Sequence, residues 1–122
     1  VRLTRNFDPR DDWGIALSPV IEPGAEVFDL DLAGVDLANM NLQEIHFERV
    51  SLARTIFNGS DLEGAVFIDC DLSGARFKSA NLRDARIQRG RLHGTRFDKA
   101  IVTGVTAEDV DVSGAYFPGI RQ

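Results

Sequence analysis

The chain has 122 residues, 43% of them hydrophobic and 27% charged, with a net charge of −5 and an isoelectric point near 4.9. This length and apolar content fit a single domain with one hydrophobic core and exclude two cores. No run of residues is long and apolar enough to cross a membrane, and the single cysteine, Cys70, excludes an intrachain disulfide. We therefore expect a cytoplasmic protein. Because the chain does not begin with Met, the alternative of a targeting segment that has been removed is kept.

Residues 1–24 precede the repeats and contain the only tryptophan, Trp13, together with several aliphatic side chains. Because the ends of a repeat domain must be covered, we expect this segment to be an N-terminal cap. Asp8 and Pro9 favour the start of a short helix, as N-cap and first helical residue. The alternative is that the segment is a linker from a preceding domain.

From Val27 to Phe117 every fifth residue is apolar, nineteen in succession. A period of five matches neither the 3.6 of a helix nor the 2 of a strand, so the chain must turn a corner within each repeat and coil around an axis. The residues two before these centres are small or apolar and should also face inward, whereas the residue directly before a centre is often Asp or Asn. Units of this kind include Val35-Asp36-Leu37-Ala38-Asn39, Cys70-Asp71-Leu72-Ser73-Gly74 and Ala80-Asn81-Leu82-Arg83-Asp84.

These units resemble the pentapeptide-repeat family, whose consensus is A(D/N)LXX, and the resemblance covers residues 25–119. It implies an all-β fold, a right-handed quadrilateral parallel β-helix with four pentapeptides in each coil and about five coils. A short non-repeat N-terminal segment would precede this solenoid, and residues 120–122 would form a C-terminal tail. Stacked coils are spaced like neighbouring strands, so the tower should be about 24 Å tall.

Grouping the centres by twenty residues assigns them to four walls. Between residues 47 and 97 the centres alternate Phe and Leu except at Ile87, so large rings recur on opposite walls. Wall one is centred on Val27, Phe47, Phe67, Ile87 and Ala107; wall two on Leu32, Leu52, Leu72, Leu92 and Val112; wall three on Leu37, Phe57, Phe77, Phe97 and Phe117; wall four on Leu42, Leu62, Leu82 and Val102.

The corners between walls follow from the same register. A type II turn needs positive φ at its third residue, which here stands two after the centre. Wall two has Gly at this position in four of its five corners, with Arg54 as the exception. Walls one and three mostly lack that Gly, so their corners should be less regular.

The sequence offers little for catalysis, and we expect no enzyme, no cofactor and no metal site. His46 and His93 fall on different walls about two coils apart, without a metal cluster or a nucleophile and its base. A filled tower also provides no pocket for a pair of catalytic carboxylates. A weaker hypothesis, a hydrolase with its site in the N-terminal segment, would need a ligand or metal near Trp13 and His46.

The remaining reactive groups have structural interpretations. Asp31, Asp71 and Asp111 recur before the centres of wall two as repeat consensus, and Arg91 between two of them predicts an ion-pair ladder. Cys70 stands two before a centre, which predicts a small buried hydrophobic residue rather than a reactive thiol.

Charge is unevenly distributed along the tower. Residues 25–44 carry −5, residues 45–64 carry −1, residues 65–84 are neutral and residues 85–104 carry +4. The positive coil contains four arginines that we call the basic belt: Arg86, Arg89, Arg91 and Arg96. They fall on three walls, and we expect no exposed aromatic residue among them. We therefore do not expect direct binding of nucleic acid, and favour a solvated belt or an acidic protein partner.

Several apolar residues occupy positions that should face water. Val66 and Ile68 flank Phe67 on wall one and form a candidate contact spot. The C-terminal end is the stronger candidate, because few residues follow the last centre and an uncovered coil presents free backbone groups and apolar side chains. We predict a homodimer joined end to end through residues around Val112, Tyr116, Phe117 and Ile120.

These observations predict a non-enzymatic module that offers a rigid, charge-patterned surface to a protein partner, as a structural or interaction domain of a bacterial protein. The alternative is a DNA mimic, since the pentapeptide-repeat family includes fluoroquinolone-resistance proteins that resemble duplex DNA and bind DNA gyrase. The net negative charge favours this alternative. The basic coil opposes it, because a mimic should be negative along its whole length.

Overall fold

The structure is a computed structural model that describes residues 2–3 and 21–117. Its regular strands pair in chain order as one six-stranded parallel sheet, which forms wall one. The strands are β1 (Arg2–Leu3), β2 (Glu26–Phe28), β3 (His46–Glu48), β4 (Val66–Ile68), β5 (Arg86–Gln88) and β6 (Thr106–Glu108). The described ranges contain no helix.

The register between coils is twenty residues on every wall. On wall one Phe47 pairs with Val27 below it and with Phe67 above it. Single parallel bridges repeat the same offset on the other walls, for example Ser51 with Asp71 on wall two, Ile56 with Arg76 on wall three and Asp61 with Asn81 on wall four. The chain is therefore an all-β parallel solenoid with four complete turns between β2 and β6, and the predicted walls are confirmed.

Stacked phenylalanine rings form the centre of the tower. On wall three the ring of Phe77 lies between Phe57 and Phe97, with centroid distances of 4.9 and 5.1 Å and nearly parallel planes. Phe47 and Phe67 stack on the opposite wall at 5.4 Å. Between the walls the rings meet edge to face at 6.2 to 6.3 Å. Aromatic rings favour both arrangements. Phe47, Phe57, Phe67 and Phe77 therefore contact other rings both along the axis and across it, whereas Phe97 stacks along the axis.

The residues two before each centre also face the core, and the polar ones among them are satisfied. Thr55, Ser60 and Thr95 are buried. Their hydroxyls donate to the carbonyls of Leu32, Leu37 and Leu72, each 23 residues earlier, at 2.8, 2.5 and 2.6 Å. No buried side-chain nitrogen or oxygen in the described part of the chain lacks a hydrogen-bond partner. Ser or Thr can therefore replace Ala or Val at this inward position without leaving a buried polar group unpaired.

The corners all use the left-handed backbone region two residues after the centre. Wall three does so at Asn39, Ser79 and Lys99, with φ of 57 to 58°, and closes its upper corners with a hydrogen bond such as Ala80 N–H to Phe77 O. Among the described residues wall one has no such bond within a corner. Its corner amides donate to the next coil as those of the other walls do, for example Asp69 N–H to Gln88 O at 2.9 Å and Ser79 N–H to Asp98 O at 2.8 Å. The expectation of less regular corners is confirmed for wall one and wrong for wall three.

The beginning of the chain contributes to the first coil. β1 pairs in parallel with β2, placing Arg2 opposite Glu26 and Leu3 opposite Val27. Residues 21–24 form a corner in which Gly24 has φ of 74° and its N–H donates to Gln43 O. Residue 1 and residues 4–20, with Trp13 and the Asp8–Pro9 helix start, lie outside the described residues. Their role as cap or linker stays a prediction.

We expect Phe77→Ala to lower the free energy of unfolding by about 3–5 kcal/mol, because it removes a ring that is packed against three others and leaves a cavity in a filled core. Phe77→Leu is the matched control, since Leu fills the centres of the neighbouring walls, and should cost less than half as much. Urea denaturation followed by circular dichroism measures both. Equal losses for the two variants would show that volume at this position does not decide stability.

Candidate interaction surfaces

Exposed apolar side chains are concentrated at the C-terminal end of the tower. Within the described residues, four large apolar side chains are strongly exposed, one from the coil of residues 85–104 and three from the last coil: Ile101 (42%), Val112 (54%), Tyr116 (49%) and Phe117 (46%). By contrast, Val66 and Ile68 on the outer face of β4 are only half-buried, between β3 and β5. Their role as a contact spot stays a prediction, and the C-terminal end is the larger apolar surface.

This end opens into a concavity of about 700 Å³ lined by core residues of the last two coils, including Leu92, Phe97, Val105, Val112 and Phe117. The ring of Phe117 stacks on Phe97 at 4.7 Å and so continues the phenylalanine column to the surface. Ile120, the fourth residue of the predicted contact, lies outside the described residues together with the rest of 118–122.

Within the described residues, one backbone amide at this end lacks the acceptor that its equivalents in lower coils have. The N–H of Leu72 donates to Arg91 O at 2.9 Å, and the N–H of Leu92 donates to Asp111 O at 2.8 Å. Within the described ranges no backbone carbonyl accepts from the equivalent amide of Val112. In the described chain the last coil thus combines exposed apolar groups with an edge whose Val112 amide has no backbone acceptor, the combination that favours pairing with another chain.

The arginines of the predicted belt are separated by the fold. Arg89 forms a two-pronged ion pair with Asp69, at 2.9 and 3.2 Å. Arg91 lies 3.7 Å from Asp71 on wall two, which confirms part of the predicted ladder there. Arg86 is exposed and forms no ion pair with a described residue.

Arg96, the fourth member, corrects the expectation that no exposed aromatic residue lies beside the belt. Its guanidinium stacks over the ring of Tyr116 at 4.5 Å, and it pairs with Asp98 at 2.9 and 3.1 Å. Tyr116 follows Arg96 by twenty residues and lies directly above it on wall three. The four arginines of the belt therefore lie in four different local environments.

A charge ladder that the sequence analysis missed lies at the corners of wall one. Its rungs alternate in sign through Asp29, Arg49, Asp69, Arg89 and Asp109, at intervals of twenty residues. Arg49 Nε lies 2.7 Å from Asp29 Oδ1, and Arg89 repeats the arrangement on Asp69. The hydrogen bond from Arg89 lowers the pKa of Asp69. The alternation at constant spacing is visible in the sequence once the walls are assigned.

The consensus acids before the centres cap their own corners. Oδ1 of Asp31, Asp71 and Asp111 each accepts the N–H two residues later at 3.0 Å. Such side-chain-to-backbone bonds are typical of Asx turns. The hydrogen bond from the Ser113 side chain also lowers the pKa of Asp111. The prediction that these acids are repeat consensus is confirmed.

The groups with potential chemistry are dispersed. His46 Nε2 lies 3.0 Å from Glu48 Oε1 on wall one, and His93 Nδ1 lies 3.1 Å from the carbonyl of Ser113 on wall two. Cys70 is buried, and this burial raises the pKa of its thiol to about 12. In the described part of the chain no three His, Cys, Asp or Glu side chains are grouped to hold a metal ion. The described residues also include no helix able to span a bilayer.

Four walls, a constant twenty-residue offset and cores filled from every fifth residue define a β-solenoid built of five-residue repeats. The family model described as "pentapeptide repeat region" matches residues 25–117, most of the chain. The protein therefore belongs to the pentapeptide-repeat family, whose members have the quadrilateral form of this solenoid.

Solved structures with the same fold come from several proteins. The pentapeptide repeat protein Rfr23 of the cyanobacterium Cyanothece 51142 is 22% identical over 96% of this chain and 84% of its own, with a TM-score of 0.64. The pentapeptide repeat protein alr5209 of Nostoc Pcc 7120 is 21% identical over 71% of this chain and 79% of its own, with a TM-score of 0.50. At these identities the likeness shows the fold alone.

A third similar structure is a trypsin-treated form of QnrB1, a plasmid-mediated fluoroquinolone resistance protein. It is 23% identical over 76% of this chain, with a TM-score of 0.55, and the match spans 46% of its own length. A search of curated proteins finds no significant match.

We expect the Cys70 thiol to resist a thiol reagent in the folded protein, because the side chain is 3% exposed and its raised pKa leaves almost no thiolate at pH 8. The rate of reaction with Ellman's reagent should be about a hundredfold or more below the rate in denaturant, where an ordinary thiol pKa is restored. The denatured protein is its own control. Fast reaction of the native protein would contradict the burial.

Proposed function

We propose that the protein is a non-enzymatic interaction module of a bacterial protein, working in the cytoplasm, that binds a protein partner through its C-terminal coil. The observation that carries this proposal is the gathering of Ile101, Val112, Tyr116 and Phe117 at one end of a rod whose sides are otherwise mostly polar. Contiguous exposed apolar surface of this kind is typical of protein interaction sites.

A second copy of the chain is the partner that this end fits best. Two ends facing each other would each cover the other's concavity and the open edge at Val112. The exposed carboxylates Glu108, Asp109 and Asp111 lie at the same end, on walls one and two. In such a dimer the apolar contact at the centre would be favourable, whereas the carboxylates of the two copies would repel each other. Because salt screens this repulsion, the dimer should become tighter as the salt concentration rises.

The absence of a catalytic role is also part of this proposal. The interior is filled by stacked rings, and the acids before the centres are engaged in their own corners. The thiol of Cys70 is buried and protonated at physiological pH. A reaction would therefore need groups other than the repeat positions.

A gyrase-binding DNA mimic is the second candidate, and exposed carboxylates in the first coil favour it: Glu26, Asp36 and Glu44. The charge along the tower is less simple than the predicted change from an acidic to a basic end. After the basic coil, Glu108, Asp109 and Asp111 return the last described residues to negative charge. The cations between these acidic ends still interrupt the continuous negative surface that a mimic requires.

Sedimentation equilibrium should show a dimer at high micromolar concentration, tighter in 0.5 M than in 0.05 M salt. Phe117→Asp should shift the chain to monomer, because it places a charge at the centre of the apolar contact. Arg86→Asp, on the outer face of β5, is the control and should leave the dimer unchanged. A wild-type monomer throughout this range that Phe117→Asp does not alter would eliminate the end-to-end dimer.

A supercoiling assay separates the two candidate functions. The interaction module should leave the rate of supercoiling by DNA gyrase unchanged, even with the protein in large excess over the enzyme. A DNA mimic must change that rate because it competes with the DNA segment that gyrase binds. Inhibition that scales with protein concentration, and that charge-reversing substitutions at Glu26 and Asp36 abolish, would favour the mimic.

A further inference from the structure

Wall three carries a group of cations that the predicted basic belt largely omits. On the third and fourth rungs of this wall, counted from the coil centred on Leu37, four cationic side chains are exposed: Arg76, Lys78, Arg96 and Lys99. We call these four residues the basic face. One carboxylate, Asp98, lies among them, and the nearest other acid of this wall in the described chain is Asp36, two rungs below Arg76.

The basic face differs from the corner ladder of wall one in how its charges are arranged. In the ladder each arginine has an acid on the rung below, whereas on wall three Arg76 is bridged directly to Arg96. Like charges on adjacent strands destabilise a sheet. Asp98 forms its ion pair with Arg96 and interacts electrostatically with Lys78 on the rung below, which helps to lower the pKa of Asp98 after the larger effect of Arg96. Arg76, Lys78 and Lys99 form no ion pair with any described residue. Positive potential is therefore concentrated on this wall.

We propose that the basic face of wall three docks a short acidic segment of a protein partner. This inference rests on the proposed role as a protein-interaction module, but it concerns a side of the rod rather than its end. Tyr116 borders the face on the rung above Arg96, and Ile101 lies just across the corner at Lys99, both strongly exposed. Arginine and tyrosine beside exposed apolar groups are typical of protein interfaces.

A nucleic acid fits this face less well. Two rungs with their side chains extend roughly 10 Å along the axis, enough for about three phosphates of one strand. A longer polyanion would continue toward Asp36 at one side or toward the acids near the C-terminal end at the other. One face of the Tyr116 ring is already covered by Arg96, so little aromatic surface is left for stacking bases. A short run of carboxylates needs neither a long track nor a stacking platform.

Charge reversal on the basic face tests the proposal. Fluorescence anisotropy with a fluorescein-labelled octaglutamate peptide in low salt should show saturable binding to the wild-type protein. The double variant Arg76→Glu/Lys99→Glu should weaken this binding at least tenfold. The control Arg83→Glu/Arg86→Glu makes the same change in net charge on walls four and one, and should bind within about twofold of wild type.

Folding of the variant is checked by its melting temperature. Glu at position 76 would face Arg96 on the next rung and replace a repulsive pair with an attractive one, so Arg76→Glu alone should keep or raise Tm by a few degrees. The position of Lys99 tolerates Glu because Glu44 already occupies an equivalent corner with φ of 60°. Loss of binding with Tm retained would support a docking role for these cations.

Three results would overturn the proposal: no binding of octaglutamate by the wild type, equal losses in the test and control variants, or tighter binding of an eight-residue oligothymidylate than of the peptide.

Sedimentation of Arg76→Glu/Lys99→Glu distinguishes this surface from the end of the rod. If dimerisation persists while peptide binding is lost, the two surfaces act separately. If the peptide binds but no dimer forms, the C-terminal contact fails while the basic face stands.

Discussion

The structure depends on backbone hydrogen bonds between coils at a constant offset. A centre residue such as Leu52 donates its N–H to Asp71 O in the coil above, and Ser51 donates to Leu30 O in the coil below. Because a parallel ladder fixes which residues face each other, a single register of twenty residues determines every column of side chains on all four walls. The fifth-residue core, the ring stacks and the charge ladders are consequences of this one offset.

Columns behave differently inside and outside the tower. Inside, identical or similar side chains stack well, so phenylalanine above phenylalanine gives nearly parallel rings about 5 Å apart on wall three. Outside, identical charges stacked in the same way repel. The corners of wall one resolve this by alternating Asp and Arg, whereas the bridge between Arg76 and Arg96 does not. Charged residues stacked at intervals of twenty on the surface therefore either neutralise one another, as at the corners of wall one, or keep a charge that a ligand can bind, as at Arg76 and Arg96.

The pairing between coils leaves the outer surface and the C-terminal end as the places where a partner can bind. Every repeat position of the interior is occupied by packing, and even its hydroxyls are engaged with carbonyls of the coil below. Each coil is completed by the next, so the last described coil has a concavity, exposed rings and an amide without a described backbone acceptor. A rigid rod of this kind is suited to hold surface groups at fixed spacing for a partner.

The fifth-residue periodicity by itself determined the solenoid, its walls and its core, because burial in a coiled chain recurs with the length of the repeat. The same periodicity also contained the alternating corner ladder, which becomes visible only when residues twenty apart are compared. Periodicity was insufficient at the corners of wall three, where Asn39, Ser79 and Lys99 adopt positive φ. Asn tolerates this left-handed conformation, whereas Ser79 and Lys99 adopt it although their residue types seldom do, in corners whose amides are bonded to the next coil.

Only the tertiary structure decided what each surface residue contacts. Arg89 is held by Asp69, Arg96 lies between Asp98 and Tyr116, and Val66 is half-buried between neighbouring strands. The physical reason is that a repeat specifies where a side chain begins, whereas its partners depend on side-chain length, conformation and the charges of the rungs above and below. The sequence therefore determined which residues stack above one another on each wall. The folded protein decided which of their charges are neutralised by ion pairs and which stay available to a partner.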